Sequence, residues 1–162
     1  MPLDQRELRN CLGGFCTGVT VVTTLTGPDD RPIGVTVSSF NAVSLDPPLV
    51  LFSLDRRASA LPAMEAAGRF AVNVLAEDQD ELCRRFARPV GDDFADVGYQ
   101  QWSTGAPILD GCVSSFDCRT WRTYDGGDHV IFLGEVVRMR TRPELRPMLF
   151  YRGGFHRLHA NG

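Results

Sequence analysis

The sequence contains no lysine, and arginine accounts for all 17 of the Lys and Arg residues among its 162. This absence excludes Schiff-base chemistry through lysine, and any anion site must use arginine, backbone N–H groups or hydroxyls. Histidine occurs only three times, at His129, His156 and His159. Recognisable catalytic triads are also missing, so a reaction that depends on a strongly activated nucleophile is not indicated.

Several familiar nucleotide and nucleophile motifs are absent as well. The glycine-rich segment at 13–18 lacks the G-x-G-x-x-G spacing and follows a predicted helix rather than a strand. It therefore does not indicate a Rossmann nucleotide site. The sequence has no Walker loop and no G-x-S-x-G elbow.

The five cysteines form no Cys-x-x-Cys pair, and their number is odd. With a polar start that is neither a signal nor a transit peptide, this pattern predicts free thiols in a reducing cytoplasm. For Cys112 and Cys118 the alternative to a free thiol is a zinc site shared with His129. The Cys-x5-Cys spacing is unusual for zinc ligands, so we expect no metal.

Composition and charge favour an ordinary globular protein. The hydrophobic share of 43% and the charged share of 23% are ordinary for such a protein, and the net charge is −3. The length of 162 residues predicts one domain over residues 1–162. The apolar runs are far too short to span a membrane, and no block of like charge indicates a nucleic-acid partner.

β-Branched and alternating segments dominate the pattern and predict mainly strands. Three short helices are predicted, two of them opened by capping boxes at Asp4–Glu7 and Asp78–Glu81 and one lying over 59–67. The apolar run at 49–54 predicts a strand buried on both faces. The strand predictions are 19–26, 31–38, 40–45, 49–54, 70–75, 113–123, 129–140, 148–151 and 155–158.

Strands and helices do not alternate regularly, so a doubly wound parallel sheet is not favoured. The order of elements instead predicts a closed antiparallel barrel with helices over its ends.

Two polar segments are candidate ligand sites. Hydroxyl groups cluster where a strand leaves the first hairpin, at Thr36, Ser38, Ser39 and Ser44. On composition alone they are typical of a solvent-facing strand and turn. The alternative is that the hydroxyls and free backbone N–H groups here contact a polar, planar ligand. A second group precedes a predicted helix and could bind phosphate, the alternative being a solvated loop. Its members are Ser53, Arg56, Arg57 and Ser59.

Seven separated blocks follow one another in an order that a known family shares. They are GFCTGVTVVTT (14–24), GVTVSSF (34–40), VSLDPPLVL (43–51), FAVNVL (70–75), FA (86–87), GDH (127–129) and GEV (134–136). The chain resembles, from about Leu8 to Leu158, the flavin reductase-like family of the FMN-binding split barrel. Members of that family are NAD(P)H-dependent reductase components of two-component flavin monooxygenases.

The resemblance implies a mainly β fold, an antiparallel Greek-key split β-barrel with short capping helices. It also implies a homodimer with flavin sites near the subunit boundary, and a monooxygenase partner that receives reduced flavin. The implied cofactors are FMN or FAD, with NADH or NADPH as hydride donor. The alternatives are a non-catalytic flavin-binding or haem-binding split-barrel module, or a relative with another chemistry such as a pyridoxamine-phosphate oxidase.

The resemblance further implies roles for individual residues. The cofactor positions are Thr36, Val37, Ser38 and Ser39 at the isoalloxazine edge and ribityl chain, Ser53 and Leu54 beside the flavin, Arg57, Ala58 and Ser59 at the phosphate, and Phe86 and Arg88 closing over the cofactor. The nicotinamide positions are His129, Phe155 and His156. Among them His129 is the predicted catalytic residue, expected to orient the nicotinamide rather than transfer a proton.

The chain departs from the family pattern at two positions. Leu61 stands where many members have a threonine that helps to bind phosphate. Phe155 replaces a commoner tyrosine, so a phenolic hydrogen bond is lost there.

Overall fold

The computed structural model describes residues 3–88 and 93–159. In these residues the helices are α1 (Gln5–Leu12), α2 (Leu61–Ala67) and α3 (Asp80–Ala87). The strands are β1 (Thr17–Gly18), β2 (Thr20–Thr26), β3 (Arg31–Val37), β4 (Asn41–Leu45), β5 (Pro48–Asp55), β6 (Arg69–Val74), β7 (Tyr99–Gln101), β8 (Pro107–Leu109), β9 (Ser114–Gly126), β10 (His129–Thr141), β11 (Leu149–Tyr151) and β12 (Gly154–His156).

Antiparallel pairing organises these strands into one large sheet and two small ones. The seven-stranded sheet has the order β3-β2-β6-β9-β10-β5-β4, with smaller sheets β1-β11-β12 and β7-β8. This arrangement confirms the predicted mainly β fold and each of the predicted strand segments to within a few residues.

The predicted closed barrel is wrong, because the large sheet is open. Strands β3 and β4 form its two edges, and no ladder joins them in the described part of the chain. The side-chain hydroxyl of Ser39 instead bonds to the backbone N–H and C=O of Ser53 on β5, both at 2.9 Å. Ser39 precedes β4 and lies in line with the β4–β5 register, so its side chain continues that pairing by one step and does not join the two edges.

Strand β5 was predicted to be buried on both faces, and this is wrong. Its side chains alternate, with Val50, Phe52 and Leu54 buried and the residues between them only partly so. The strand has one face on the main core, where Phe52 stacks on Phe132 at 4.9 Å and meets the edge of Phe70 at 5.0 Å. Hydrophobic composition alone did not reveal that its other face is only partly covered in the described part of the chain.

The helix ends follow the capping prediction in one case and depart from it in another. Asp4 caps α1 by accepting a hydrogen bond of 2.8 Å from the backbone N–H of Glu7. The capping box predicted at Asp78 is wrong, since α3 begins at Asp80 with Gln79 at the cap and no side-chain cap bond. The side chain of Gln79 binds the neighbouring loops instead. No helix within residues 3–88 and 93–159 is long and apolar enough to cross a membrane.

The β9–β10 hairpin extends past the end of the neighbouring strand β6. Strand β6 pairs with β9 only as far as Arg119, whereas β10 pairs with β9 to the turn and with β5 as far as Asp55. Gly127 has a φ of +77°, which the tight turn requires and glycine supplies at low steric cost. The hairpin therefore brings its turn and His129 beside the end of β5.

Candidate functional site

The loop after β5 begins with a paired carboxylate and guanidinium. Asp55 Oδ1 lies 3.0 Å from Arg57 Nε, Asp55 Oδ2 lies 2.7 Å from a terminal nitrogen of Arg57, and the Arg57 N–H also donates to Oδ1 at 2.8 Å. These bonds hold the pKa of Asp55 well below its usual range and raise that of Arg57. The Arg57 side chain is 87% exposed, so it can also be reached from solvent.

The neighbouring arginine ties this loop to the turn of the β9–β10 hairpin. Arg56 donates from Nε to the Gly127 carbonyl at 2.8 Å and forms an ion pair of 3.2 Å with Asp125. Its backbone N–H donates to the Asp128 carbonyl at 2.9 Å. Hydrogen bonds from Gly127 N–H and Arg56 lower the pKa of Asp125. Arg56 therefore ties the two segments together, while its side chain stays 46% exposed.

His129 is the first residue of β10 and lies directly opposite Asp55 in the β5–β10 ladder. Its Nδ1 lies 2.7 Å from Asp128 Oδ1, and 41% of its side chain is exposed. Because an ionised carboxylate only accepts hydrogen bonds, Nδ1 carries the proton in this pair. In the neutral ring this leaves Nε2 as an acceptor, which suits a donor such as the amide of a nicotinamide.

The hydroxyl-rich turn joins the same region through Ser39, whose bonds to Ser53 fix the end of β3 against β5. Ser38 is exposed beside it. The hydroxyl of Thr36 is already engaged, since it donates to the Cys83 carbonyl of α3 at 2.8 Å. Of the hydroxyls predicted here, Ser38 is exposed and Ser44 half-buried, and within the described residues neither makes a side-chain hydrogen bond, so both can meet a ligand.

Three predicted positions form apolar wall rather than polar contacts. Leu54 is 3% exposed and belongs to the main core, and Val37 and Ala58 pack against that core while partly buried. Ser59 is exposed in the loop between Arg57 and α2. The loop therefore offers a guanidinium and a hydroxyl above an apolar base.

Phe86 is not in a position to close over a cofactor. Its side chain is fully buried, meets the ring of Phe94 at a centroid distance of 4.9 Å and lies against the backbone of Gly34. It is a core residue, and the sequence prediction for it is wrong. Arg88 is exposed at the end of α3.

The predicted nicotinamide residues are only partly brought together. Phe155 lies on β12, 41% exposed, with its ring 5.7 Å from that of Phe150, and the neighbouring His156 lies 5.9 Å from the ring of Tyr151. In the described part of the chain, no ring contact, ion pair or hydrogen bond links them to His129. A common role for the three residues toward a nicotinamide therefore stays a prediction.

Comparison with known proteins decides the family. The profile of the flavin reductase like domain matches residues 12–159. The chain belongs to this family. The family expected from the sequence blocks is thereby confirmed.

Individual relatives agree with the flavin reductase-like assignment. The chain is 43% identical to the reductase subunit HsaB of a flavin-dependent monooxygenase from Mycobacterium tuberculosis, covering 94% of this chain and 82% of that protein. It is 46% identical to SmoA, an FMN reductase (NADH) from Agrobacterium fabrum, covering 95% and 86%. The solved structure of SgcE6, an NADH:FAD oxidoreductase from Streptomyces globisporus in complex with NAD and FAD fragments, matches with a TM-score of 0.91 at 40% identity, covering 98% and 94%.

Sequence reasoning did not single out Asp55, which lies within this candidate site. Asp55 contacts Arg57 through two side-chain bonds and pairs across the strands with His129. The available signal was an acidic residue at the end of a predicted strand, two positions before an arginine. Nothing in the sequence showed that the hairpin turn would come to rest against it.

Proposed function

We propose that the chain is an NAD(P)H:flavin oxidoreductase that reduces FMN or FAD and supplies the reduced flavin to a partner monooxygenase. The observation that carries the proposal is the corner at the end of β5, where Arg57 and Ser59 lie on one side and His129 on the other. Relatives of this chain are named FMN reductase (NADH), NADH-dependent FAD reductase and monooxygenase reductase subunit. These names support NADH as the donor.

The residues of this corner fit the groups that they would hold. Arg57 and Ser59 offer a guanidinium and a hydroxyl to a phosphate, which suits both the charge and the geometry of that group. Ser38 and the backbone beside it offer donors to the polar edge of a ring system. His129 Nε2 offers an acceptor held in place by the bond from Nδ1 to Asp128.

The main task of the protein in this reaction is to position the flavin and nicotinamide rings. When bound, the flavin and the nicotinamide supply the reaction between them, a hydride passing from nicotinamide C4 to flavin N5. His129 orients one ring, while the turn at Ser38 and Ser39 limits the position of the other. Apolar residues such as Leu54 exclude water from below. A proton-transferring side chain is not required, which agrees with the shortage of histidines.

We further propose that the chain acts as a homodimer in the cytoplasm. Apolar side chains are exposed on and after α1 and on the edge strand β4, with Leu12 at 66%, Phe15 at 76% and Leu45 at 96%. Large exposed apolar surfaces favour association. The five cysteines are free, in keeping with a reducing compartment.

Flavin-dependent oxidation of NADH tests the function directly. The purified protein is mixed with NADH or NADPH, with FMN, FAD, riboflavin or no flavin, and the loss of nicotinamide absorbance is followed. Turnover that depends on added flavin is expected. A protein that binds flavin but oxidises neither nicotinamide would instead be a non-catalytic flavin module, and a haem absorbance band would indicate a haem binder. Light scattering on the same preparation gives the oligomeric state.

A further inference from the structure

The corner proposed to receive the flavin phosphate has no spare positive charge. Three carboxylates, Asp55, Asp125 and Asp128, lie beside two guanidiniums, Arg56 and Arg57. With His129 neutral, these five groups sum to one negative charge. An anion that arrives here meets arginines that are already matched to carboxylates.

Asp55 is the carboxylate that competes most directly with a phosphate. It holds Arg57 by two parallel bonds of 3.0 and 2.7 Å, the same fork that a phosphate would use. Arg56, in contrast, is held by the hairpin turn and by Asp125. Both guanidiniums are thus engaged, and Arg57 is the more exposed of the two, at 87% against 46% for Arg56. A phosphate that binds Arg57 must share its N–H donors with Asp55.

We propose that Asp55 limits the affinity for flavin: its carboxylate occupies Arg57 in the flavin-free protein and is displaced or shared when the phosphate binds. This inference rests on the proposed function. It explains how a protein with an exposed arginine at its phosphate loop can bind FMN weakly enough to release it. Release is what a reductase needs if it supplies reduced flavin to another enzyme.

The exposure of the pair makes the exchange feasible. Arg57 is 87% exposed and Asp55 31%, so the ion pair lies in water rather than in a sealed pocket. Exposed ion pairs contribute little to stability and break at low cost. A phosphate carrying close to two negative charges can replace a single carboxylate on the same guanidinium, but it must do so against the repulsion of that carboxylate.

The test is the Asp55→Asn variant, with FMN and riboflavin affinities measured by equilibrium titration of the full-length protein. Riboflavin has the same ring system and ribityl chain as FMN but no phosphate. We expect Asp55→Asn to tighten FMN roughly threefold to tenfold, the size expected from removing one charge near a phosphate in water. Riboflavin affinity is expected to stay unchanged, and this also reports that the site is folded.

Two further variants complete the experiment. Asp30→Asn removes a carboxylate that is also paired with one arginine, Arg69, at 3.2 Å. This pair lies outside the loop after β5 and the β9–β10 hairpin, so the variant should leave the FMN affinity unchanged. Asp55→Asn combined with Arg57→Gln binds FMN no more tightly than Arg57→Gln alone, because the competition acts through Arg57.

The inference is overturned if Asp55→Asn weakens FMN, leaves it unchanged, or tightens riboflavin to the same degree. If one of these outcomes is found but the unmodified protein oxidises NADH in the presence of FMN, the reductase function stands and only the role of Asp55 fails. If no flavin binds or turns over, both fail together.

Discussion

The hydroxyl of Ser39 is hydrogen-bonded to both backbone polar groups of Ser53, across the gap between β3 and β5. It donates to the carbonyl and accepts from the N–H, each at 2.9 Å. One side chain thereby satisfies two groups that a longer β4 would satisfy through its backbone. The same bonds fix the turn that carries Ser38 beside the proposed flavin site.

Replacing Ser39 by alanine removes both bonds and leaves the two groups of Ser53 without protein partners. We expect Ser39→Ala to lower the free energy of unfolding by about 1–3 kcal/mol, measured by urea denaturation. Ser38→Ala is the matched control, because Ser38 is exposed, and it should change stability by less than about 0.5 kcal/mol. Equal effects of the two variants would show that the Ser39 bonds contribute nothing measurable to the free energy of unfolding.

Local sequence signals predicted most of the elements, because they act over short distances. The β-branched run of β2, the turn at 27–30 and the return of β3 form a hairpin whose partners are near neighbours in sequence. Gly68 ends α2 with a φ of +63°, as its position after the helix suggested. Such features are decided by each residue and its neighbours.

Other predictions failed because they depend on tertiary contacts. Phe86 carries the same apolar side chain whether it covers a cofactor or fills a core, and tertiary contacts such as those with Gly34 and Phe94 place it in the core. Asp55 acquires its importance from His129, 74 positions away in the chain, when the β9–β10 hairpin is laid beside β5. No pattern within either segment specifies that pairing.

Gly134 lies where a side chain would meet the core directly. A β carbon added there would collide with the ring of Phe70 and lie 3.1 Å from Cys118 Cβ. We expect Gly134→Ala to lower stability by about 1–3 kcal/mol through overpacking. Gly18→Ala is the control, since nothing lies within 4 Å of its added carbon. A thermal melt that shows the same transition for both variants would contradict this packing.

The free cysteines divide into two exposed and three buried thiols. Burial raises the pKa of Cys83, raises that of Cys112 to about 12 and raises that of Cys118 further. Because the thiolate is the reactive form, these three should resist a thiol reagent near pH 8 in the native protein.

A variant that carries Cys11→Ser and Cys16→Ser tests the division, since it removes the two exposed thiols. It should show no fast reaction until denaturant is added, after which three thiols should react. Fast labelling of the native variant would show that a buried thiol is accessible.

His129→Ala removes the proposed acceptor for the nicotinamide but leaves the phosphate loop intact. We expect the apparent KM for NADH to rise by about twofold to tenfold, the range for the loss of one hydrogen bond, with little change in FMN affinity. His159→Ala is the control, because His159 is exposed near the end of the chain. An unchanged KM for NADH in His129→Ala would show that this histidine serves only its own turn through Asp128.

Ser59→Asp tests the phosphate loop from the opposite direction to a change at Asp55. A second carboxylate in the loop should repel the flavin phosphate, and we expect FMN to bind roughly tenfold more weakly. Riboflavin, without the phosphate, should bind as before, and this comparison separates repulsion from misfolding.

The control for Ser59→Asp is Ser103→Asp, which adds the same charge at an exposed serine in the turn between β7 and β8. It should leave both affinities unchanged, because a charge outside the loop is screened by salt. Equal weakening of FMN by both variants would mean that the net charge of the protein sets the affinity. Unchanged FMN binding by Ser59→Asp would mean that the phosphate lies elsewhere. If only Ser59→Asp weakens FMN, the residues that follow Arg57 lie within electrostatic reach of the phosphate.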